Sequence, residues 1–388
     1  MPTPTSSQPR LTVAQRAALM GGGVLVAVLV TLLLLRVVDR RSEVIFTAGM
    51  GDLFFHRPAA VAPPPNPNEI LSRHRIAWDV DGFRLPARPA ARYDVVALGD
   101  SYTEGTNVAR PWSDVLAEQS GLAVYNMGFR GFGPAEESRV LKDYGLKHAP
   151  RYVIVGFFEG NDLYDAVSAR WRGEFIPPNV QREQLNTLGT NYTPPTPHPP
   201  PYQFPVRIAI KGITHDIAFL DGYLGWVNGD YATYAESDNL REVDRYWGEM
   251  QTALGETLPE TCLFIAYFPA APHIYAPYVV PEDRTQMLST VEEMSLPKAG
   301  ALIEGTVIPS AFEDVLPRLG NQRDALRALA EKRGIAFIDL VPVFEAAAAR
   351  GEVLYYTYDT HWNQAGHDLA GATIAAYLKD HGDACRTP

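Results

Sequence analysis

From Tyr93 onward the chain alternates between two kinds of segment, and this alternation limits its fold more than any other feature. Runs that are apolar on both faces, DVVALG, AVYNMG, YVIVGFF, LFIAYF and IAFIDL, are separated by stretches of helical pattern such as SDVLAEQSG and PAEESRVLKDYGLKHA. A strand buried on both faces has to be covered on both sides, and helices between successive strands supply that cover in parallel sheets. The pattern therefore predicts an α/β fold: a parallel sheet with helices on each side. It lapses between Arg172 and Pro259, where PPTPHPPPYQFP reads as a long loop and NLREVDRYWGEMQTAL as a helix. No internal repeat is visible.

The N-terminal part is of another kind. Residues 1–16 form a tail, and no charged residue occurs from Ala17 to Leu35, a span that includes LVAVLVTLLLL. Continued to Val38, this run makes a helix of about 33 Å, enough to cross a bilayer. No small-residue cleavage site follows it, and Arg36, Asp39, Arg40 and Arg41 do, so it reads as one uncleaved transmembrane helix, residues 17–38, rather than a signal peptide. Arg10 and Arg16 precede it and three arginines follow, so the positive-inside rule barely discriminates between orientations. Residues 39–90 then read as a juxtamembrane spacer and lead-in, including the proline-rich PAAVAPPPNP. The globular domain is placed at 91–388, with an insert at about 172–259.

With 45 acidic against 34 basic residues the net charge is −11, which argues against nucleic acid as a partner. The two cysteines, Cys262 before a strand and Cys385 after the last helix, would both lie at the pole of the sheet away from the strand ends that bear the site. They can pair there, which implies an oxidising compartment and places the domain on the exoplasmic or periplasmic side; two unrelated thiols are the alternative.

Four short stretches carry chemistry. In ALGDSYTEG a strand ends at Gly99 and a helix begins near Ser101, so the serine sits where free backbone N–H groups and the helix dipole favour negative charge. A helix N-cap is the plainer role for such a serine. In NMGFRGFGP, Gly131 can expose a backbone donor, and in GFFEGNDLYD, Asn161 can offer its amide. Both follow strand ends, as Ser101 does. In YYTYDTHWNQAGH, Asp359 and His361 are two apart and share a face if extended, so the carboxylate can orient the imidazole as a base for serine. Metal ligation by Asp359, His361 and His367 lacks any recognisable zinc spacing, and neither a metal nor another cofactor is expected.

Together these blocks resemble the SGNH (GDSL-like) hydrolase superfamily, matched by GDSYTEG, NMGFRG, EGND and DTHWN over about Tyr93 to Leu378. The resemblance implies a three-layer α/β/α sandwich with a parallel, about five-stranded sheet. It also implies that Ser101 is the nucleophile, that Ser101, Gly131 and Asn161 form an oxyanion hole, and that Asp359 and His361 activate the serine. Three departures stand out: Tyr102 replaces the usual leucine at a packing position, Glu159 replaces a glycine often found in the third block, and only one residue separates Asp359 from His361. The short form of the last block is similar to that of polysaccharide acetylation proteins, and DVDGFR (residues 79–84) is similar to a segment of membrane-anchored bacterial members.

The expected function is a serine esterase acting on O-acyl, above all O-acetyl, groups of a glycan or envelope molecule. Tyr164, Trp171, Tyr356 and Trp362 are either stacking surfaces for sugar rings or ordinary core. An O-acyltransferase with the same triad, or a catalytically silent glycan-binding module, would read similarly, and no protein partner can be named.

Overall fold

The structure, a computed structural model, describes residues 78–105, 107–172, 175, 177–181, 203–220, 227–288, 311–357 and 361–382. The transmembrane helix expected at 17–38 lies outside them, as do Asp359 and Cys385. Among the described residues no helix is long and apolar enough to cross a membrane.

Five strands form one parallel sheet: β1 (Val95–Gly99), β2 (Val124–Asn126), β3 (Tyr152–Phe158), β6 (Cys262–Phe268) and β7 (Ala336–Asp339), in the order β2-β1-β3-β6-β7. Every residue of β1, β3 and β6 is buried, which is why these strands read as unbroken apolar runs. On one side Trp112–Ser120 packs on Gln364–His381, which also touches Val341–Arg350. On the other, Pro134–Val140, Asp162–Arg172 and Asn321–Arg333 gather around the twenty-residue helix Asp238–Thr257. That helix begins where the sequence predicted it, capped by the Ser237 hydroxyl, which accepts from Leu240 N–H.

The last three residues of the stretch expected to be a long loop, 203–205, open a second, two-stranded sheet that the sequence pattern does not reveal. β4 (Gln203–Ile210) and β5 (Ile213–Leu220) pair antiparallel, and the turn between them, Lys211 at φ 49° and Gly212 at φ 79°, has the positive angles of a tight hairpin. Gln203, Phe204 and Pro205 therefore belong to a strand rather than to irregular chain. Pro205 is tolerated near the start of a strand in a two-stranded sheet, where each strand keeps one unpaired edge. Val206, Ile208, Ile210 and Ile217 turn inward, and Ile208 bridges to Val279.

The described end of the lead-in, from residue 78, is packed into the globule. Asp79 accepts from Asp81 N–H and Phe83 N–H, which folds DVDGFR into a tight turn, and Phe83 is enclosed against Tyr125 and Tyr144. At the opposite pole Cys262 Sγ lies 3.9 Å from Gly382 O, at the end of the last helix. Cys262 is disulfide-bonded, in a chain whose one other cysteine is Cys385.

Candidate active site

Strand β1 ends at Gly99, and a single helical turn, Ser101–Glu104, starts at once. Asp100 caps it by accepting from Tyr102 N–H at 2.8 Å, which points the Ser101 side chain out over the strand end. Ser101 Oγ lies 2.8 Å from His361 Nε2, although 260 positions separate the two residues. It also lies 3.4 Å from Asp100 Oδ2. A hydroxyl and an imidazole nitrogen at this distance are set for direct proton transfer.

His361 is placed by the packing of its neighbours. Tyr355 and Trp362 form a bridge on either side of it, and Tyr356 N–H donates to its carbonyl. Trp362 is 0% exposed, set among Tyr102, Phe268, Phe344 and His367. Tyr356 is buried and donates its hydroxyl to Asn107 O at 2.6 Å. Of the two roles open to it, Trp362 is therefore core, with no ring face offered to a sugar. Tyr164 is half-buried, and the side chain of Trp171 lies outside what is described. Tyr102, which replaces the usual leucine, stacks on Phe158 and lies 4.9 Å from the His361 ring.

The second block is stitched to the first. Met127 N–H donates to Ala97 O and Phe129 N–H to Gly99 O, while the buried Asn126 amide donates to Thr103 O and Ser113 Oγ. Gly128 is needed for space: a Cβ there would meet Glu104 N at 2.5 Å. Gly131 is needed for conformation, with φ 72°; a Cβ at this position would have nothing within 4 Å. Arg130 is joined to the buried Glu104 at 3.3 Å, which ties this loop to the end of the nucleophile's turn. In the third block Asn161 Nδ2 donates to Asp165 Oδ2 at 2.7 Å, a contact that orients the amide and uses one of its two N–H groups.

His367 is not part of this constellation. It is enclosed, its Nδ1 accepts from Trp112 N–H at 3.2 Å, and burial holds its pKa well below the usual value. Among the described residues no group of three or more His, Cys, Asp or Glu could hold a metal ion.

Sequence reasoning missed a set of buried acids behind the serine. Asp100, Glu137 and Asp162 are each almost fully enclosed, and both Glu137 carboxyl oxygens and Asp162 Oδ1 have no hydrogen-bond partner. Burial, partly offset by the Tyr102 N–H, pushes Asp100 up to about 7, and burial reinforced by repulsion from Asp100 holds Glu137 and Asp162 well above the usual carboxylate range. Groups with raised folded-state pKa values contribute stability that is complete below about pH 4, the ordinary carboxylate value, and that is lost as pH rises, for Asp100 through about 7. The melting temperature should therefore fall as pH rises from about 4 through about 7. Glu137→Gln should raise it at the alkaline end and flatten the dependence, as followed by thermal denaturation with circular dichroism.

A sequence profile of the GDSL-like lipase/acylhydrolase family matches residues 97–369, a stretch that holds all four blocks and most of the chain. The chain belongs to this family. GDSL-like folds also appear among solved structures similar to it. A member of the lipolytic G-D-S-L family from Veillonella parvula DSM 2008 is 12% identical, with 74% of this chain and 97% of that one covered and a TM-score of 0.35. The aryl esterase of M. smegmatis is 13% identical, covering 74% and 98%, with a TM-score of 0.35. An acetyl xylan esterase is 11% identical, covering 74% and 98%, with a TM-score of 0.36. No curated protein matches the chain. Members of this family are ester hydrolases.

Proposed function

We propose that the protein is a membrane-anchored serine esterase that removes O-acyl groups, in the first place O-acetyl, from a glycan or cell-envelope molecule on the exoplasmic or periplasmic side. The observation that carries the catalytic part is the 2.8 Å contact between Ser101 Oγ and His361 Nε2 at the strand ends. His361 takes the hydroxyl proton as Oγ attacks the ester carbonyl, and returns a proton to the departing alcohol. Asp359 orients the imidazole and stabilises its charged form. The oxyanion is held by Ser101 N–H, Gly131 N–H and the second N–H of Asn161, each donor worth about 3 to 4 kcal/mol in the transition state. Water, deprotonated by His361, then releases the acyl group as the acid. The charge-free run at 17–38 supports the anchor, the bonded Cys262 supports an oxidising compartment, and the similarity of the last block to acetylation proteins supports the choice of a small acyl group.

The test is acetate release by the purified full-length protein from chromogenic acyl esters and from O-acetylated polysaccharides. Acetyl esters should turn over faster than longer acyl chains, and free acetate should appear from the glycan. Transfer of the acetyl group to an added oligosaccharide, in place of acetate release, would make the protein a transferase. No turnover on any ester would leave a binding module.

A further inference from the structure

Glu159 stands in the third block where many family members carry glycine, and the structure gives it a partner far away in sequence. Its Oε1 lies 2.7 Å from His273 Nδ1, 114 positions on, with both side chains buried. Its Oε2 accepts from Ala270 N–H at 2.9 Å, and its own N–H donates to Phe268 O at 2.9 Å. Glu159 thus grips the junction between β6 and the short helix Ala271–Tyr275 at three points. The same junction is held from the other side: Tyr355 OH donates to Pro269 O at 2.6 Å, and Tyr355 belongs to the bridge that frames His361. One three-residue corner, Phe268 to Ala270, therefore connects the loop bearing Asn161 with the segment bearing His361.

We propose that Glu159 and His273 are positioning residues, a buried ion pair that latches the Asn161 loop to the β6 corner and so fixes the distance between the oxyanion donor and His361. The inference rests on the reading of Asn161 as an oxyanion donor. A glycine at 159 could not hold the corner, since it brings no acceptor for Ala270 N–H and no counter-charge for His273. The charged groups facing His273 are Glu159 after β3, Arg323 on the helix Asn321–Arg333 and Glu345 on Val341–Arg350, while Tyr267 on β6 faces Glu159. Burial opposes the imidazolium, yet its net shift is upward because Glu159 is in contact. The pair is therefore intact below the usual histidine pKa and is lost as pH rises through the raised one.

The experiment is a double-mutant cycle on the full-length protein with a chromogenic acetate ester. Glu159→Ala and His273→Ala should each lower kcat about 30- to 100-fold, the cost of a misplaced catalytic group, with KM unchanged within about twofold. Asn161→Ala should lower kcat by a factor on the order of 100 alone, but by only a few-fold in the Glu159→Ala background, because a mis-set donor has little left to lose. Glu159→Gln keeps an acceptor for Ala270 N–H and provides a folded comparison if the alanine variants unfold. It should restore kcat to within about tenfold of the parent and abolish the alkaline fall in activity that the latch predicts for the parent. The latch is overturned if the Glu159 and Asn161 effects multiply independently, or if folded Glu159→Gln and Glu159→Ala both keep parental kcat and pH profile while only the melting temperature falls. If Asn161→Ala is itself silent while Ser101→Ala abolishes turnover, the oxyanion assignment has failed, and the latch falls with it.

Discussion

Replacing Ser101 by alanine should lower kcat for an acetate ester by roughly 10⁴-fold or more, while KM and the melting temperature stay near those of the parent. The size follows from what is lost. Without Oγ no acyl-enzyme forms, and the 2.8 Å contact through which His361 takes a proton disappears. The small change in stability follows from the position: Ser101 is partly exposed, and the helical turn is capped by the Asp100 carboxylate, with no part played by the serine hydroxyl. A residual rate above that in water should persist, because backbone donors and substrate binding remain. Steady-state kinetics with the ester, beside a thermal melt, tests both parts. A variant that keeps more than about a tenth of the parental rate would show that another group is the nucleophile.

Arg84→Ala should be the most destabilising single change outside the hydrophobic core, at about 3 to 5 kcal/mol. Its guanidinium is buried and donates to four carbonyls of one loop: Gly105 O, Ala109 O at 2.7 Å, Val108 O at 3.2 Å and Glu104 O at 3.4 Å. Burial, partly offset by Asp114 and Glu104, lowers its pKa to about 10, so it is charged at neutral pH. Truncation strands all four acceptors and leaves a void. At about 2 to 4 °C per kcal/mol, the melting temperature should drop on the order of 10 °C. Activity should fall as well, since this loop follows the nucleophile's turn and the Tyr356 hydroxyl docks on its Asn107 carbonyl beside His361. Arg84→Lys should recover little, because one ammonium cannot span four carbonyls. A melting temperature for Arg84→Ala within about 2 °C of the parent would contradict this role.

What could be read in advance follows from the range of the forces involved. β1, β3 and β6 are enclosed on both faces, so their apolar runs carry the signal locally, and Ser101 lies in a short motif at a strand end, His361 in one just before the last helix. The hairpin β4-β5 was hidden because its first strand carries Pro205 and follows a proline-rich run, while its inward residues, Val206, Ile208 and Ile210, alternate with others that face outward. Trp362 and Tyr356 had two readings because an aromatic ring beside a catalytic histidine looks the same in sequence whether it lines a cleft or fills the core. Arg84 lies in a segment singled out for its pattern, yet its partners are backbone carbonyls, which carry no residue identity. Glu159 was visible as a departure, but nothing local announced His273. Nothing local marks Glu137 and Asp162 as buried acids; only the tertiary packing shows them enclosed, with both Glu137 carboxyl oxygens and Asp162 Oδ1 unpaired.

The central claim is that Ser101 is a hydroxyl activated by His361. Labelling the full-length protein with a fluorophosphonate and locating the adduct by peptide mass spectrometry tests it directly. The expected result is one phosphonylated peptide, modified at Ser101, and loss of labelling in His361→Ala. Modification at a different residue, or undiminished labelling of Ser101 without His361, would contradict it.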